Sequence, residues 1–212
     1  MTQDPPDTRA ALLQAAGELF AEFGYDGAST RAIARRANTN MASIAYHFGG
    51  KEPLYLEALQ RVLESQCTWG QMLEAARALT ESGTPVADAL ESTLRQRLEE
   101  ILSGRHPVWE TQLLLRALLE PSPAARALLR DVFEPQMGQI IAVARAWNPA
   151  LTEDEAKRWG NALFGQEVVY ALARNVILDV ERWDAYPATY LDDVARYSAR
   201  LMAGALWPER FD

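Results

Sequence analysis

Apolar residues recur every three or four positions along most of this chain, which is the spacing that an amphipathic α-helix produces. The first apolar stripe predicts a helix over residues 8–23, and its members are Leu12, Ala16, Leu19, Phe20 and Phe23. Alternating runs rich in β-branched side chains, which would predict strands, are almost absent. The pattern therefore predicts an all-α protein.

Glycine, proline and asparagine interrupt the apolar pattern and divide it into about nine predicted helices. The predicted ranges are 8–23, 30–37, 41–48, 51–80, 86–102, 106–119, 121–147, 152–178 and 186–206. Pro135 lies inside the seventh range, where we expect a kink or a division because proline removes a helical hydrogen bond. Thr152 and Glu155 fit a capping box at the start of the eighth.

Local signals around the second and third predicted helices are specific. Ser29 and Asn40 are placed to cap these two helices, and Asn38 permits a left-handed turn between them. Gly49 and Gly50 end the third helix. Two short helices joined by a tight turn, in this order after a longer helix, predict a DNA-binding helix-turn-helix.

Charge is unevenly distributed along the chain, and this affects which partners the protein can bind. The formal net charge is −8, which by itself argues against a polyanionic partner. From Gly27 to Lys51, however, the chain holds four basic residues and no acidic one, so that the remainder carries −12. The four are Arg31, Arg35, Arg36 and Lys51. Such a local island is compatible with DNA binding, because phosphate attraction acts within about 10 Å.

The third predicted helix has an inner face of Ile44 and Phe48 and an outer face of small and polar residues. Small side chains would let this helix lie deep in a major groove, which is about 12 Å wide. The predicted base readers are Asn40, Met41, Ala42 and Ala45, and Ser43 belongs to the same DNA-binding set. The predicted phosphate contacts are Thr30, Arg31, Tyr46, His47 and Lys51.

Three blocks of sequence surround this segment: Phe20-Ala-Glu-Phe-Gly-Tyr25, Ser29-Thr-Arg-Ala-Ile-Ala34 and Ala45-Tyr-His-Phe-Gly-Gly-Lys-Glu52. In this order and spacing they resemble the N-terminal signature of the TetR family of bacterial repressors, over about residues 8–60. The resemblance implies an all-helical homodimer with a ligand-binding C-terminal domain, in which a ligand usually weakens operator binding.

The chain departs from the family pattern at three positions. The family often has Gly where Asn38 stands, Val where Thr39 stands and an acid where Ala32 stands. Ala32 removes the acidic half of a capping box with Ser29, so we expect a slightly less stable second helix. Further along, His106-Pro-Val-Trp109, Leu113-Leu-Leu-Arg116 and Leu119-Glu-Pro121 resemble a subgroup related to CecR, whose known members control export genes.

We therefore predict a helix-turn-helix DNA-binding domain over residues 1–52 and a ligand-binding and dimerisation domain over 53–212. The segments 152–180 and 186–206 carry too much apolar surface for a lone hairpin. In the resemblance they pair with their copies, and burial within one chain is the alternative. The candidate ligand residues are Trp69, Met72, Trp109, Gln112, Arg116, Phe133, Met137, Gln166, Tyr170 and Arg174. Ordinary core packing and structural arginine pairs are the alternative for this set.

The predicted function is a ligand-responsive transcriptional repressor that binds a palindromic operator as a dimer and is released by a small molecule. The alternatives are an all-helical enzyme acting on a small molecule and a non-sensing DNA-binding protein. No catalytic cluster or cofactor motif stands out, and two histidines with one cysteine make no economical zinc site. The lone Cys67, the lack of a secretory signal and the lack of a long apolar run predict a cytoplasmic protein without a membrane partner.

Overall fold

The computed structural model describes residues 8–102 and 106–207, and these residues form eleven α-helices and no strand. The all-α prediction is confirmed. The helices are α1 (Thr8–Gly27), α2 (Thr30–Arg36), α3 (Met41–Phe48), α4 (Lys51–Gln66), α5 (Trp69–Glu81), α6 (Val86–Leu102), α7 (Val108–Leu119), α8 (Pro123–Trp147), α9 (Glu153–Leu172), α10 (Arg174–Glu181) and α11 (Ala188–Ala205). Within the described ranges, no helix has the length and apolar content needed to cross a membrane.

Two of the nine predicted helices are each divided into two. The predicted helix 51–80 breaks at Cys67 and Thr68, and the predicted helix 152–178 breaks at Ala173. Neither break carries a glycine or a proline, so no local signal marks it. The start of α5 is instead held by tertiary contacts, since Gly70 N–H donates to Gln136 Oε1 at 2.7 Å. Conversely, α8 continues through Pro135 without the division that the sequence led us to expect.

The described chain forms two compact units. Unit 1 comprises residues up to Cys67 together with Pro107–Val132, and unit 2 comprises Thr68–His106 and the residues from Phe133 onward. The predicted functional boundary between residues 52 and 53 falls near the start of α4, within unit 1. The division into functional domains therefore stays a prediction, distinct from this division by packing.

Unit 1 is built around α1, which packs on α4 and α7. Phe20 is fully buried and meets the ring of Tyr55 edge to face at 5.0 Å. Gly17 gives α7 its close approach, because a Cβ atom there would lie 2.3 Å from Trp109 Cζ3. Phe23, predicted for the same buried stripe, is 52% exposed, and the helix departs from regular geometry at the next residue, Gly24 (φ 74°, ψ 175°).

Unit 2 is a helical bundle in which α6 packs along α11, with further contacts to α5 and α9. Its apolar core includes Leu73, Leu90, Leu94, Leu98 and Trp159. The predicted capping box begins α9, since Glu155 N–H donates to Thr152 Oγ1 at 3.3 Å and Thr152 N–H donates to Glu155 Oε2 at 2.8 Å. This reciprocal pair fixes the first turn of the helix.

Candidate nucleic-acid interface

The helix-turn-helix forms through the local signals that the sequence contains. Ser29 Oγ accepts from Ala32 N–H at 3.1 Å and so caps α2. Asn38 has φ 52°, which is the left-handed conformation that asparagine tolerates better than most residues. Asn40 Oδ1 accepts from Ser43 N–H at 3.0 Å and caps α3, and Gly49 ends α3 in the left-handed conformation. These expectations are confirmed.

The two faces of α3 are separated as the pattern predicts. Ile44 and Phe48 are buried against the rest of unit 1. Most of the predicted DNA-facing residues are exposed, and they are Asn40, Met41, Ala42, Ala45 and Tyr46. Tyr46 is 86% exposed, and its ring meets that of the half-buried His47 edge to face at 5.0 Å. This face therefore leaves Met41 and Tyr46 accessible on the single chain.

A short hydrogen-bonded chain lies behind this face. Thr39 Oγ1 and Ser43 Oγ are 2.9 Å apart, and Ser43 Oγ is 3.3 Å from Asn40 Oδ1. Thr39 was a departure from the family pattern whose hydroxyl had no evident partner in the sequence. The structure supplies that partner one helical turn away, in Ser43.

The four basic residues of the island differ in what they contact. Arg36 donates to Glu18 Oε2 at 2.7 Å, so its charge is partly neutralised by α1. Arg31 and Arg35 are exposed, lie four residues apart on α2 and have no acidic partner among the described residues. Sequence reasoning included Arg31 and missed Arg35, although the spacing of one helical turn was the signal that places both on one face.

Lys51 is held in place at the start of α4. Its Nζ lies 4.6 Å from the centre of the Tyr25 ring and donates to the carbonyl oxygen of Asp26 at 3.5 Å. The Tyr25 ring in turn packs against Tyr55 at 5.1 Å. Burial raises the pKa of the Tyr25 hydroxyl, and the carboxylates of Glu52 and Asp26 raise it further, so that the ring stays neutral. A cation held this way has less rotamer freedom to lose when it meets a phosphate.

The candidate ligand residues are distributed over both units. Trp109, Gln112 and Arg116 lie on α7 in unit 1. Trp109 packs on Gly17, and its indole N–H is buried without a hydrogen-bond acceptor in the described chain. Arg116 donates to the carbonyl oxygens of Ala21 at 3.1 Å and Glu22 at 3.2 Å, and Gln112 is exposed.

The other candidates lie in unit 2 and fall into three groups. Phe133 meets Phe164 edge to face at 6.0 Å, and Met137 lies against Gly160. Tyr170 packs with Tyr186 and Tyr190, and Arg174 is close enough to lower the pKa of Tyr186 against the larger effect of burial. The rest are Trp69, Met72, which accepts from Thr68 Oγ1 at 3.3 Å, and Gln166, which donates to Ala162 O of its own helix at 3.3 Å. A surface groove of about 520 Å³ lies along α6 and contains none of these residues.

Sequence reasoning missed the buried ion pair of unit 2. Glu167 Oε2 accepts from Arg97 Nε at 2.8 Å, and Glu167 Oε1 accepts from Arg97 Nη2 at 3.3 Å and Trp69 Nε1 at 3.1 Å. Burial raises the pKa of Glu167, and the pairing with Arg97 opposes that rise. Arg97 and Glu167 are 70 residues apart, so no local pattern indicates that they meet.

Both the N-terminal and the C-terminal part of the chain match families of known proteins. Residues 12–58 match the family model "Bacterial regulatory proteins, tetR family", and residues 86–206, more than half of the chain, match the C-terminal domain of the HTH-type transcriptional dual regulator CecR. The chain belongs to the TetR family of bacterial regulatory proteins.

Named members of this family show the same relationship over most of the chain. CecR of Shigella flexneri is 27% identical over 191 residues, covering 88% of this chain and 85% of CecR. The HTH-type transcriptional activator FasR of Mycolicibacterium smegmatis is 33% identical over 166 residues, covering 73% of each chain. A TetR-family regulator from Mesorhizobium loti shares the fold, with a TM-score of 0.61 at 20% identity over 93% of this chain and 95% of that one.

The family membership confirms the predicted class of function and the CecR-like C-terminal part. This TetR-family chain is a DNA-binding, ligand-responsive transcriptional regulator, and the proteins it resembles are regulators rather than enzymes. The enzyme alternative is thereby set aside.

Proposed function

We propose that this TetR-family regulator is a repressor whose dimer binds a near-palindromic operator in the cytoplasm and is released by a small molecule. The observation that carries the DNA-binding part is the exposed face of α3, with small and polar side chains beside a local basic island. A dimer would present two such helices to half-sites about 34–36 Å apart.

The DNA-contacting residues divide into two sets. Asn40, Met41, Ala42 and Ala45 face the base edges, where they read sequence, and Ser43 belongs to the same DNA-binding set. Thr30, Arg31, Tyr46, His47 and Lys51 hold phosphates, and the unpaired Arg35 joins them. Contacts of the second kind set affinity and its salt dependence, whereas those of the first kind set the preferred sequence.

The test is a salt-titrated mobility-shift assay on DNA taken from the region upstream of the protein's own gene. Lys51→Ala should weaken binding to every sequence and lower the salt slope by about one per protomer. Met41→Ala should change the preferred sequence and leave the slope as it was. Arg145→Ala, which removes an exposed charge from the last turn of α8 in unit 2, is the matched control and should bind like the parent. Parental binding by both Lys51→Ala and Met41→Ala would show that α3 is not the reading helix.

The dimer interface is proposed at α9, α10 and α11. Large apolar side chains there are exposed on the single chain, and they are Val169, Leu172, Val176, Val180, Tyr197 and Leu201. Tyr197 and Leu201 stand one turn apart on α11, and Tyr197 is 73% exposed. An apolar stripe of this extent on a monomer marks an interaction surface.

Sedimentation equilibrium tests this surface. Val176→Asp and Leu201→Asp should shift the protein from dimer to monomer and weaken operator binding. Leu119→Asp changes an equally exposed residue of α7 in unit 1, where Leu119 is 70% exposed, and should leave the dimer intact. A dimer that survives both of the first two changes would place the interface elsewhere.

The effector site is proposed among the candidate ligand residues of unit 2, which are Trp69, Met72, Phe133, Met137, Gln166, Tyr170 and Arg174. A small molecule can release the operator only if it binds the DNA-free state more tightly than the DNA-bound state. A compound that raises the melting temperature should therefore also weaken operator binding, and Met137→Trp should abolish both effects if Met137 lines the site. Compounds that stabilise the protein without changing operator affinity would favour a non-sensing DNA-binding protein.

The sign of regulation is tested separately. FasR is named as an activator and CecR as a dual regulator, so the names of relatives point in more than one direction. Transcription in vitro from a promoter that overlaps the bound site should fall when the protein is added and recover with the effector. An increase in transcript would assign activation instead.

A further inference from the structure

The side-chain amide of Asn40 has an oxygen that is already hydrogen-bonded and a nitrogen that, within the described ranges, is not. Its Oδ1 accepts from Ser43 N–H at 3.0 Å and lies 3.3 Å from Ser43 Oγ. Its Nδ2 has no hydrogen-bond partner among the described residues, and the side chain is exposed on the DNA-facing side of α3. The orientation of the amide is fixed by chemistry, because only an oxygen can accept from the backbone N–H of Ser43.

Thr39 determines which way the hydroxyl protons point. An amide oxygen has two acceptor sites, and Ser43 N–H occupies the first. Ser43 has a single hydroxyl proton, and it can reach the second site of Asn40 Oδ1 only if Ser43 Oγ accepts from Thr39 Oγ1 at 2.9 Å. The order Thr39 to Ser43 to Asn40 satisfies all three groups without conflict, and it leaves Asn40 Oδ1 with no free acceptor site.

We propose that Asn40 reads the operator as a hydrogen-bond donor only, selecting guanine over adenine, and that Thr39 and Ser43 are the positioning residues that enforce this choice. The inference rests on the proposed role of α3 as the reading helix. It goes further by assigning the chemistry of one contact and by giving the unusual Thr39 a role.

The choice of base follows from the groups in the major groove. Asparagine ordinarily recognises adenine with two bonds, donating to N7 and accepting from N6–H. The second bond needs a free oxygen, which Asn40 lacks. Guanine presents N7 and O6, both of them acceptors, and these match the two protons of Nδ2. Against adenine, the same group meets N6–H₂, a donor, so that guanine is favoured by about tenfold.

The experiment is in vitro selection from a randomised double-stranded DNA library, followed by sequencing, with the full-length parent and four variants. Asn40→Ser retains a capping oxygen and removes the amide donor. Asn40→Asp retains the cap and replaces the donor with a second acceptor. Ser43→Ala and Thr39→Val retain the backbone cap and remove one hydroxyl each. Melting curves for all five proteins show whether each variant is folded.

The parent should enrich guanine at one position of each half-site, and Asn40→Ser should lose the preference at that position alone. Asn40→Asp should move the preference to cytosine, whose N4–H₂ is a donor. Ser43→Ala frees one acceptor site, so adenine should gain about tenfold relative to guanine, and Thr39→Val should shift the ratio in the same direction by less.

The inference is overturned if the parent prefers adenine at the position that depends on Asn40, or if the preference survives in Asn40→Ser. It is also overturned if Ser43→Ala, shown to be folded, selects the same base as the parent. A parent that enriches no sequence would instead refute the proposed DNA-reading role of α3, so failure of the two ideas can be told apart.

Discussion

The helix α3, which we propose as the reading helix, and the buried face of α9 differ in whether their polar side chains have partners within the protein. On α3, Asn40 and Tyr46 are exposed, with hydrogen-bonding capacity that the described chain does not use. On α9, Glu167 is 3% exposed and both of its oxygens accept from Arg97, with Trp69 as a further donor. Glu167 thus joins α9 to α5 and α6 within unit 2.

The difference shows where each region obtains its specificity. The exposed side chains of the helix-turn-helix are placed by caps and turns within a few residues, and they stay available to a partner. The buried pair is satisfied internally, because an unpaired charge in the interior would cost several kcal/mol. Glu167 therefore acts as a structural tie between helices, and its removal should affect folding before it affects DNA binding.

The largest expected effect on stability comes from replacing one member of the Arg97–Glu167 pair at a time. Glu167→Leu leaves Arg97 buried as a cation that cannot lose its proton and that retains the longer ion pair to Glu100 at 3.8 Å. The loss should be about 3–5 kcal/mol. Arg97→Leu leaves a carboxyl group that can take up a proton, so the loss at pH 7 should be smaller. Urea unfolding of both variants measures the difference.

The double variant Arg97→Leu with Glu167→Leu is the control for this comparison. It removes both members of the buried pair together, and its stability should lie closer to the parent than that of Glu167→Leu, because neither buried charge is left behind. If the two single variants lost equal free energy of unfolding, an unpaired Arg97 and an unpaired Glu167 would be equally costly in the interior.

The second expected effect is a pH dependence in Arg97→Leu. Burial raises the pKa of Glu167 above its ordinary value of 4.5, and removing the opposing arginine should raise it further. The folded state then holds a proton that the unfolded state has released, so stability falls as the pH rises above the unfolded pKa. Relative to the parent, the variant should lose on the order of 1–2 kcal/mol more at pH 8 than at pH 5.

Urea unfolding at a series of pH values checks this expectation. The variant Arg97→Leu with Glu167→Gln lacks the buried carboxyl group and keeps only the more exposed Glu100 near the site, so its difference from the parent should vary much less with pH. A deficit for Arg97→Leu that does not grow with rising pH would show that removing Arg97 leaves the pKa of Glu167 in the folded state no higher than in the parent.

The same contrast explains what could be predicted from the sequence. The caps at Ser29, Asn40 and Thr152 and the turn at Asn38 depend on residues within three or four positions, and each was predicted from its neighbours. The class of function followed because the helix-turn-helix is itself a local unit. Individual contacts to DNA stay predictions, since no DNA is part of the structure.

The features that sequence reasoning missed depend on distant residues. The break before α5 is stabilised by Gln136 on α8 and Glu167 on α9. Phe23 sits at a helical spacing that predicts burial, yet it is 52% exposed. Helical periodicity tells which residues share a face, but the partner of that face is set by tertiary packing.

The smallest expected effect compares the caps of the two regions directly. In unit 2, α9 has a complete capping box, whereas in unit 1 α2 has only Ser29, because Ala32 stands where an acid would complete the box. Ala32→Glu should therefore stabilise unit 1 by roughly 0.3–1 kcal/mol. The same carboxylate lies one residue from Arg31, so it should weaken DNA binding, most strongly at low salt.

Ala32→Gln separates the two effects, because glutamine can complete the box without adding a charge. Both variants should melt at a higher temperature than the parent, and only Ala32→Glu should bind DNA less tightly in the salt-titrated assay. Weaker binding by Ala32→Gln would mean that the side chain itself obstructs the duplex. If neither variant changed DNA affinity, α2 would lie too far from the phosphates to clamp them, and Arg31 and Arg35 would lose their assigned role along with it. The missing acid would then weaken the cap of α2 with no gain in DNA affinity to offset that loss.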